Sequence, residues 1–198
     1  VIEMNILLCG VGGQGIILAS QVLGEACIRA GKHVVISEIH GMAQRGGSVY
    51  TFVRIDEGDA PIPPEGSVEV ALSFERVELL RYLNYTSQKT TAIVNTGKIP
   101  PIGTTLAKKE YPDIEQVIGA LQKSVGHVFY FDAERIARES GSKQALNSVM
   151  LGAFASVVSI IPKDTLLEVL ISKVPEKARE INKRAFEGGY KICARTEA

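Results

Sequence analysis

Cys9-Gly10-Val11-Gly12-Gly13-Gln14-Gly15 lies between an apolar run, Ile6-Leu7-Leu8, and a long amphipathic segment that begins at Ile16. Gly10, Gly12 and Gly15 fall on the three positions of a dinucleotide-binding turn, where glycine permits the turn itself, close approach of phosphates, and tight helix–strand packing. The chemistry on offer is anion binding, because backbone N–H groups and the positive end of a helix converge there. Strand-to-helix turns also take glycine merely to reach positive φ, so the spacing alone leaves both readings open. Gln14 can donate and accept at this turn or simply brace it.

A second glycine-rich stretch runs Ile39-His40-Gly41-Met42-Ala43-Gln44-Arg45-Gly46-Gly47-Ser48. Arg45 is the residue to single out, since a guanidinium fork in such a loop can grip phosphate or carboxylate with two hydrogen bonds. The same fork can instead pair with Glu38 or hold loop carbonyls, and the two readings carry equal weight. Glu38 ends the second strand, where an acid meets the ribose hydroxyls in a nicotinamide-binding fold; in the plainer reading it balances Arg45. A lone loop histidine such as His40 is more often hydrogen-bonded or solvated than a general base. Ser37 near His40 makes no triad, no histidine pair stands at metal spacing, and Cys9 reads as a small buried hydrophobe.

These residues need a scaffold. Residues 5–9 read as a buried strand, and the helix after the glycine turn puts Ile16, Ala19, Ser20, Leu23, Cys27 and Ala30 on one face, with Glu25 and Arg29 paired opposite, until Gly31 stops it. His33 to Ser37 is a second strand, parallel to the first. Val49 to Ile55 alternates with period two and has too short a connection for a helical crossover, so it is expected to run antiparallel to a neighbour. Asp56 to Ser67, with Pro61, Pro63 and Pro64, is a loop. Strands follow at Val68 to Phe74, Thr91 to Val94, weakly near Thr105, and at Val128 to Phe131. Helices are expected at Glu75 to Leu83, Ile114 to Lys123 and Ala133 to Glu139, the last capped by Asp132.

The fold class is therefore α/β: a three-layer sandwich resembling a nucleotide-binding, Rossmann-like fold, mostly parallel with at least one antiparallel strand, in a single domain over 1–198. Ligands in such sheets sit beyond the carboxyl ends of the strands, which gathers Gly10 to Gly15, Glu38 to Gly47, Phe74 and Asn95 to Gly97 on one rim. Ala145 to Ile161 lacks any charge. It falls short of the ~20 apolar residues of a membrane span and reads as a buried or interface helix, with Asn147 as a possible cap and Gly152 marking close approach of another backbone. Lys163 to Lys173 is a helix, and Pro175 opens a last one that Gly188-Gly189 interrupts.

With 198 residues and an apolar fraction of 45%, the chain has material for a full core. Lysine plus arginine and aspartate plus glutamate each number 22, so no net field draws nucleic acid or an acidic membrane. Cys9, Cys27 and Cys193 are far apart and odd in number, which suits a reducing compartment and offers no metal or iron–sulfur site. No signal-like stretch points to export, so a cytoplasmic location is expected.

Taken together, Gly10-Val11-Gly12-Gly13-Gln14-Gly15, His40 to Ser48 and Asn147-Ser148-Val149-Met150-Leu151-Gly152 resemble the gamma subunit or domain of 2-oxoacid:ferredoxin oxidoreductases. The middle segment is most similar to the small (beta) subunit of indolepyruvate ferredoxin oxidoreductase. The resemblance implies oxidative decarboxylation of a 2-oxoacid, with thiamine diphosphate and iron–sulfur clusters on a large partner subunit, ferredoxin taking electrons and coenzyme A taking the acyl group. It assigns this chain a wall of the active-site cleft, with Gly10, Gly12, Gly13, Gln14, Gly15 and Arg45 positioning an anion and Glu38, His40, Gln44, Asn95 and Asn147 as further cleft residues. A free-standing NAD-binding protein and a purely structural subunit remain as alternatives.

Overall fold

The computed structural model describes residues 3–40, 46–100 and 110–194. Its framework is a six-stranded sheet formed by β1 (Met4–Val11), β2 (Val34–His40), β3 (Ser48–Ile55), β4 (Val70–Ser73), β5 (Thr91–Asn95) and β6 (His127–Phe131), in the order β2-β3-β1-β4-β5-β6. β1, β4, β5 and β6 run parallel, while β3 pairs antiparallel with both β1 and β2. β1 and β2 therefore point the same way, as the strand–helix–strand pattern implies, but β3 separates them. The few residues between His40 and Ser48 allow only a return antiparallel to β2, and β3 then fills the slot beside β1 that a second parallel strand takes in a nucleotide fold. The weak strand expected near Thr105 lies outside the described residues.

Seven-eighths of β1 is buried because helices cover both of its faces. On one face lie α1 (Ile16–Arg29), α3 (Ala133–Glu139), α4 (Leu146–Val157), α5 (Lys163–Lys173) and α6 (Arg179–Ala194), packed around Ile6, Leu8, Val53, Leu72 and Ile93. The other face has a thinner cover, a 3₁₀ helix (Glu78–Tyr85) and α2 (Ile114–Leu121), over Leu7, Phe52, Ala71, Ala92 and Val94. Alternation along each strand sends successive side chains to these two cores. α1 buries Ile16, Ala19, Leu23 and Cys27 inward, joins Glu25 to Arg29 at 2.5 Å on its outer side, and ends at Gly31 with φ 73°. The Asp132 carboxylate caps α3 by accepting from Arg135 N–H at 2.8 Å.

Three local expectations change. Glu75 to Val77 is a turn, and the helix after it starts at Glu78, is of 3₁₀ type and kinks at Tyr82. Asn147 does not cap its helix: a 3₁₀ turn, Lys143–Ala145, capped by Ser142, leads straight into α4, so Asn147 falls inside the first turn. Gly188 and Gly189 do not interrupt the last helix, which continues to Ala194. A Cβ on Gly189 would come within 1.9 Å of Val149 O, and one on Gly152 within 1.9 Å of Phe186 O. These glycines let the α4 and α6 backbones touch, and α4 is a buried helix; among the described residues no helix is long and apolar enough to cross a membrane.

Candidate functional site: the glycine turn and its cavity

The glycine turn sits where β1 ends and α1 begins, and its glycines serve different needs. A Cβ on Gly10 would strike Gln14 Oε1, Phe74 and Ile16 at 2.7–2.9 Å, so Gly10 is required by packing; one on Gly15 would meet the Asn147 side chain at 2.9–3.2 Å, and with φ +80° Gly15 is required by both packing and conformation. Gly13 has φ +104° and nothing within 4 Å of its Cβ direction, so it is required by conformation and looks onto open space. Gly12 donates its N–H to Gly47 O at 2.9 Å, which laces the turn to the end of the second glycine-rich loop.

Gln14 commits both polar atoms to the protein. Its Oε1 accepts from Val11 N–H at 2.8 Å and its Nε2 donates to Phe74 O at 2.8 Å, which is the bracing role. Asn95 Nδ2 donates to the same Phe74 oxygen at 2.8 Å, while its Oδ1 accepts from Ala133 N–H and Gly97 N–H at 3.1 and 3.3 Å. Asn147 is buried against Gly15, with Oδ1 accepting from Ser148 N–H at 2.9 Å.

Beyond the turn opens a cavity of ≈ 350 Å³. Gly12, Gly13 and Gln14 form one wall, Lys143, Gln144 and Leu146 contribute another, and Ile99 and Glu134 complete the lining. Among the described residues no side chain caps α1, so its first-turn N–H groups are open to another acceptor, and their alignment adds the positive end of a 14-residue helix. Lys143 adds a full positive charge. Glu134 opposes an anion, but Arg138 lies 3.5 Å from it and offsets its charge. A larger groove of ≈ 590 Å³ runs between α5 and the start of α6 and includes none of the candidate residues.

Glu38 and His40 do not join this cluster. They lie on β2, two strands from β1, a lateral offset of about 10 Å at ~4.8 Å per strand, because β3 intervenes. Gln44 and Arg45 fall outside the described residues. Three residues that sequence reasoning did not single out are drawn to the rim. Lys143 stands just before the uncharged run, and its signal is its closeness to Asn147. Glu75 and Glu78 resemble ordinary first-turn acids in the sequence, yet both are buried in the fold. Glu75 accepts from Val77 N–H at 2.8 Å, Ile99 N–H at 3.1 Å and the Tyr111 hydroxyl at 2.8 Å; burial pushes its carboxyl above the ordinary range. Glu78 accepts from the Ser48 hydroxyl at 2.5 Å and pairs with Arg81 at 3.0 Å.

The thiols offer no comparable chemistry. Cys9, Cys27 and Cys193 are all buried, and burial drives the Cys27 thiol up to about 12 and that of Cys9 higher still. Among the described residues no group of three histidine, cysteine or acidic side chains is placed to hold a metal ion.

The model of the pyruvate ferredoxin/flavodoxin oxidoreductase family matches residues 5–192. The chain belongs to this family. Indolepyruvate oxidoreductase subunit IorB of Methanothermobacter thermautotrophicus is 40% identical over 191 residues, spanning 96% of this chain and 97% of that protein. The crystal structure of pyruvate oxidoreductase subunit PORC from Thermotoga maritima superposes with a TM-score of 0.71 at 28% identity, covering 96% of both chains. The 2-oxoglutarate:ferredoxin oxidoreductase of Magnetococcus marinus, solved with 2-oxoglutarate, coenzyme A and succinyl-CoA bound, shares the fold at a TM-score of 0.74 and 22% identity; this chain matches 31% of that longer one. The family's small subunits are thus matched end to end, and the chain is a small subunit of a 2-oxoacid:ferredoxin oxidoreductase. Family membership, with β3 standing between Glu38 and the glycine turn, sets aside the free-standing NAD-binding reading.

Proposed function

We propose that this chain, as a single domain, is the small subunit of an indolepyruvate or related arylpyruvate ferredoxin oxidoreductase, and that its glycine turn holds a phosphate group of coenzyme A at the cleft shared with the large subunit. The partner would carry thiamine diphosphate, which supplies the carbanion chemistry of decarboxylation, and the iron–sulfur clusters that pass electrons to ferredoxin. A cytoplasmic setting fits such a complex. The aryl preference is supported by the 40% identity to an indolepyruvate oxidoreductase subunit across nearly the full chain.

The observation that carries the anion reading is the open side of Gly13 and the Lys143 side chain on one cavity, at the turn that leads into the N-terminus of α1. An exposed helix N-terminus contributes only ~0.3–1 kcal/mol toward an anion, so a cation must share the task. Lys143 takes that part from the α4 side, and Arg45 is proposed to take it from the second glycine-rich loop. The chain's own residues then bind and orient coenzyme A; they do not break the substrate's bonds.

The test is steady-state kinetics of the assembled enzyme. Lys143→Gln and Arg45→Ala are each expected to raise KM for coenzyme A about tenfold with kcat little changed, the signature of lost uniform binding. A rise in KM for the 2-oxoacid instead would reassign the turn to the substrate carboxylate. Unchanged values of both would remove the anion-binding role and leave the structural-subunit reading.

A further inference from the structure

The short turn after β4, Phe74 to Glu78, is the meeting point of the loops that make the rim. Phe74 O receives the side chains of Gln14 from the glycine turn and Asn95 from the end of β5. The Glu75 carboxylate receives Ile99 N–H and the Tyr111 hydroxyl on a single oxygen, so it holds the chain after β5 at two points, one of them a residue lining the cavity. The Glu78 carboxylate receives the hydroxyl of Ser48, the residue that follows Gly47, whose carbonyl takes Gly12 N–H. Tyr82 adds its hydroxyl to Ser48 at 2.7 Å, locking that stem from a second side.

Both carboxylates are set into the sheet's thinner core, where an acid adds little net stability and an apolar side chain of similar size packs at least as well. What a carboxylate supplies there is direction, because its oxygens accept only from donors placed around them. Every donor placed there, apart from Val77 N–H in the same turn and the adjacent Arg81, belongs to a loop bordering the cavity or to the stem laced to Gly12.

We infer that Glu75 and Glu78 are positioning residues: from the segment after β4 they hold the chain after β5 and the stem of the second glycine-rich loop in mutual register, act on the glycine turn through the Gly47 carbonyl of that stem, and so set the affinity of the anion held at Gly13. The functional half of this inference rests on the proposed coenzyme A site; the structural half does not.

The experiment compares Glu75→Gln and Glu78→Gln with Arg54→Met, a buried charged residue at the far end of the sheet, in enzyme assembled with its large subunit. Amide exchange is read at residues 12–15, 46–48 and 97–99, together with kinetics. Both glutamine variants are expected to speed exchange in these segments by about tenfold and to raise KM for coenzyme A about fivefold with kcat changed less than about twofold. Exchange is compared at amides that open locally, below the free energy of global unfolding, and there Arg54→Met should alter neither. Exchange in those segments that is unchanged in the glutamine variants, or equally faster in Arg54→Met, overturns the inference. Faster exchange with KM for coenzyme A unmoved upholds the register role and removes the ligand assignment.

Discussion

The two ends of the sheet bury polar side chains in the same manner and to different ends. At the end away from the glycine turn, Arg54 is 4% exposed and gives Nε to Asn5 Oδ1 at 2.8 Å, its remaining nitrogens going to the carbonyls of Ala60 and Glu57. Asn5 in turn donates Nδ2 to Ser67 O at 3.1 Å and its backbone N–H to the Glu69 carboxylate at 2.7 Å, so the proline-containing loop 56–67 is tied down at both of its ends. At the glycine-turn end, Glu75, Glu78, Gln14 and Asn95 do the same for the rim loops. The difference lies in what the anchored loops face. Loop 56–67 closes off the sheet, whereas the rim loops present Gly13 and Ile99 to a cavity with a lysine on it. A buried polar network therefore does not by itself mark function; the groups held by the network, and the space they look onto, do.

That contrast can be broken most forcefully at Arg54. Arg54→Met leaves Asn5 Oδ1 and the loop carbonyls without their donor, and should lower unfolding free energy by about 3 kcal/mol, measured by urea titration of the chain, while KM for coenzyme A in the assembled enzyme stays put. A KM shift comparable to that of Glu75→Gln would erase the distinction between the two ends. Lys143→Gln is the converse case: its side chain is exposed, so stability should move by less than about 0.5 kcal/mol while coenzyme A affinity falls.

Glu75 also supplies a pH test. Burial raises its carboxyl above the ordinary value near 4.5, so its folded-state pKa exceeds its unfolded one. The stability it contributes relative to a glutamine is complete below the unfolded pKa and is lost as pH rises through the folded one. The stability of the wild type minus that of Glu75→Gln, followed by thermal melting, should accordingly fall as pH rises above the ordinary carboxyl value. A difference that grows with pH would mean that the three donors outweigh burial. The smallest effect is expected within the Ser48–Glu78 pair, where Ser48→Ala and Glu78→Gln should couple by about 0.5–1 kcal/mol in a double-mutant cycle.

Much of the fold was legible in the sequence because it is written in local periodicity. The buried run before Gly10, the amphipathic face from Ile16 to Cys27, the alternation of Val49 to Ile55 and the Asp132 cap each depend on near neighbours. The strand order was less so: the alternation suggests a half-exposed strand and the short connection an antiparallel one, but β3 enters between β1 and β2, where both faces are covered and six of its eight residues are buried. The site divides in the same way. Gly10 to Gly15 announce a strand–turn–helix, while Glu75 and Glu78 are connected to Ile99, Tyr111 and Ser48 only through contacts distant in sequence. Lys143 is hidden in the sequence for a related reason, since the uncharged run marks the helix only from Ala145 and the 3₁₀ turn that brings the lysine to the cavity begins before it. Gly188-Gly189 signals a break in the sequence because glycine weakens an isolated helix, whereas in the fold the missing side chain of Gly189 is what the α4–α6 contact demands.

The central claim is that an anion of coenzyme A rests on the turn between β1 and α1. Amide exchange at Gly13, Ile16 and Ile17 in the assembled enzyme, with and without saturating coenzyme A, tests it most directly. Slowing of exchange at these amides by about tenfold or more on adding coenzyme A, and its loss in Lys143→Gln, is the predicted result. Exchange at all three that is indifferent to saturating coenzyme A would contradict the claim.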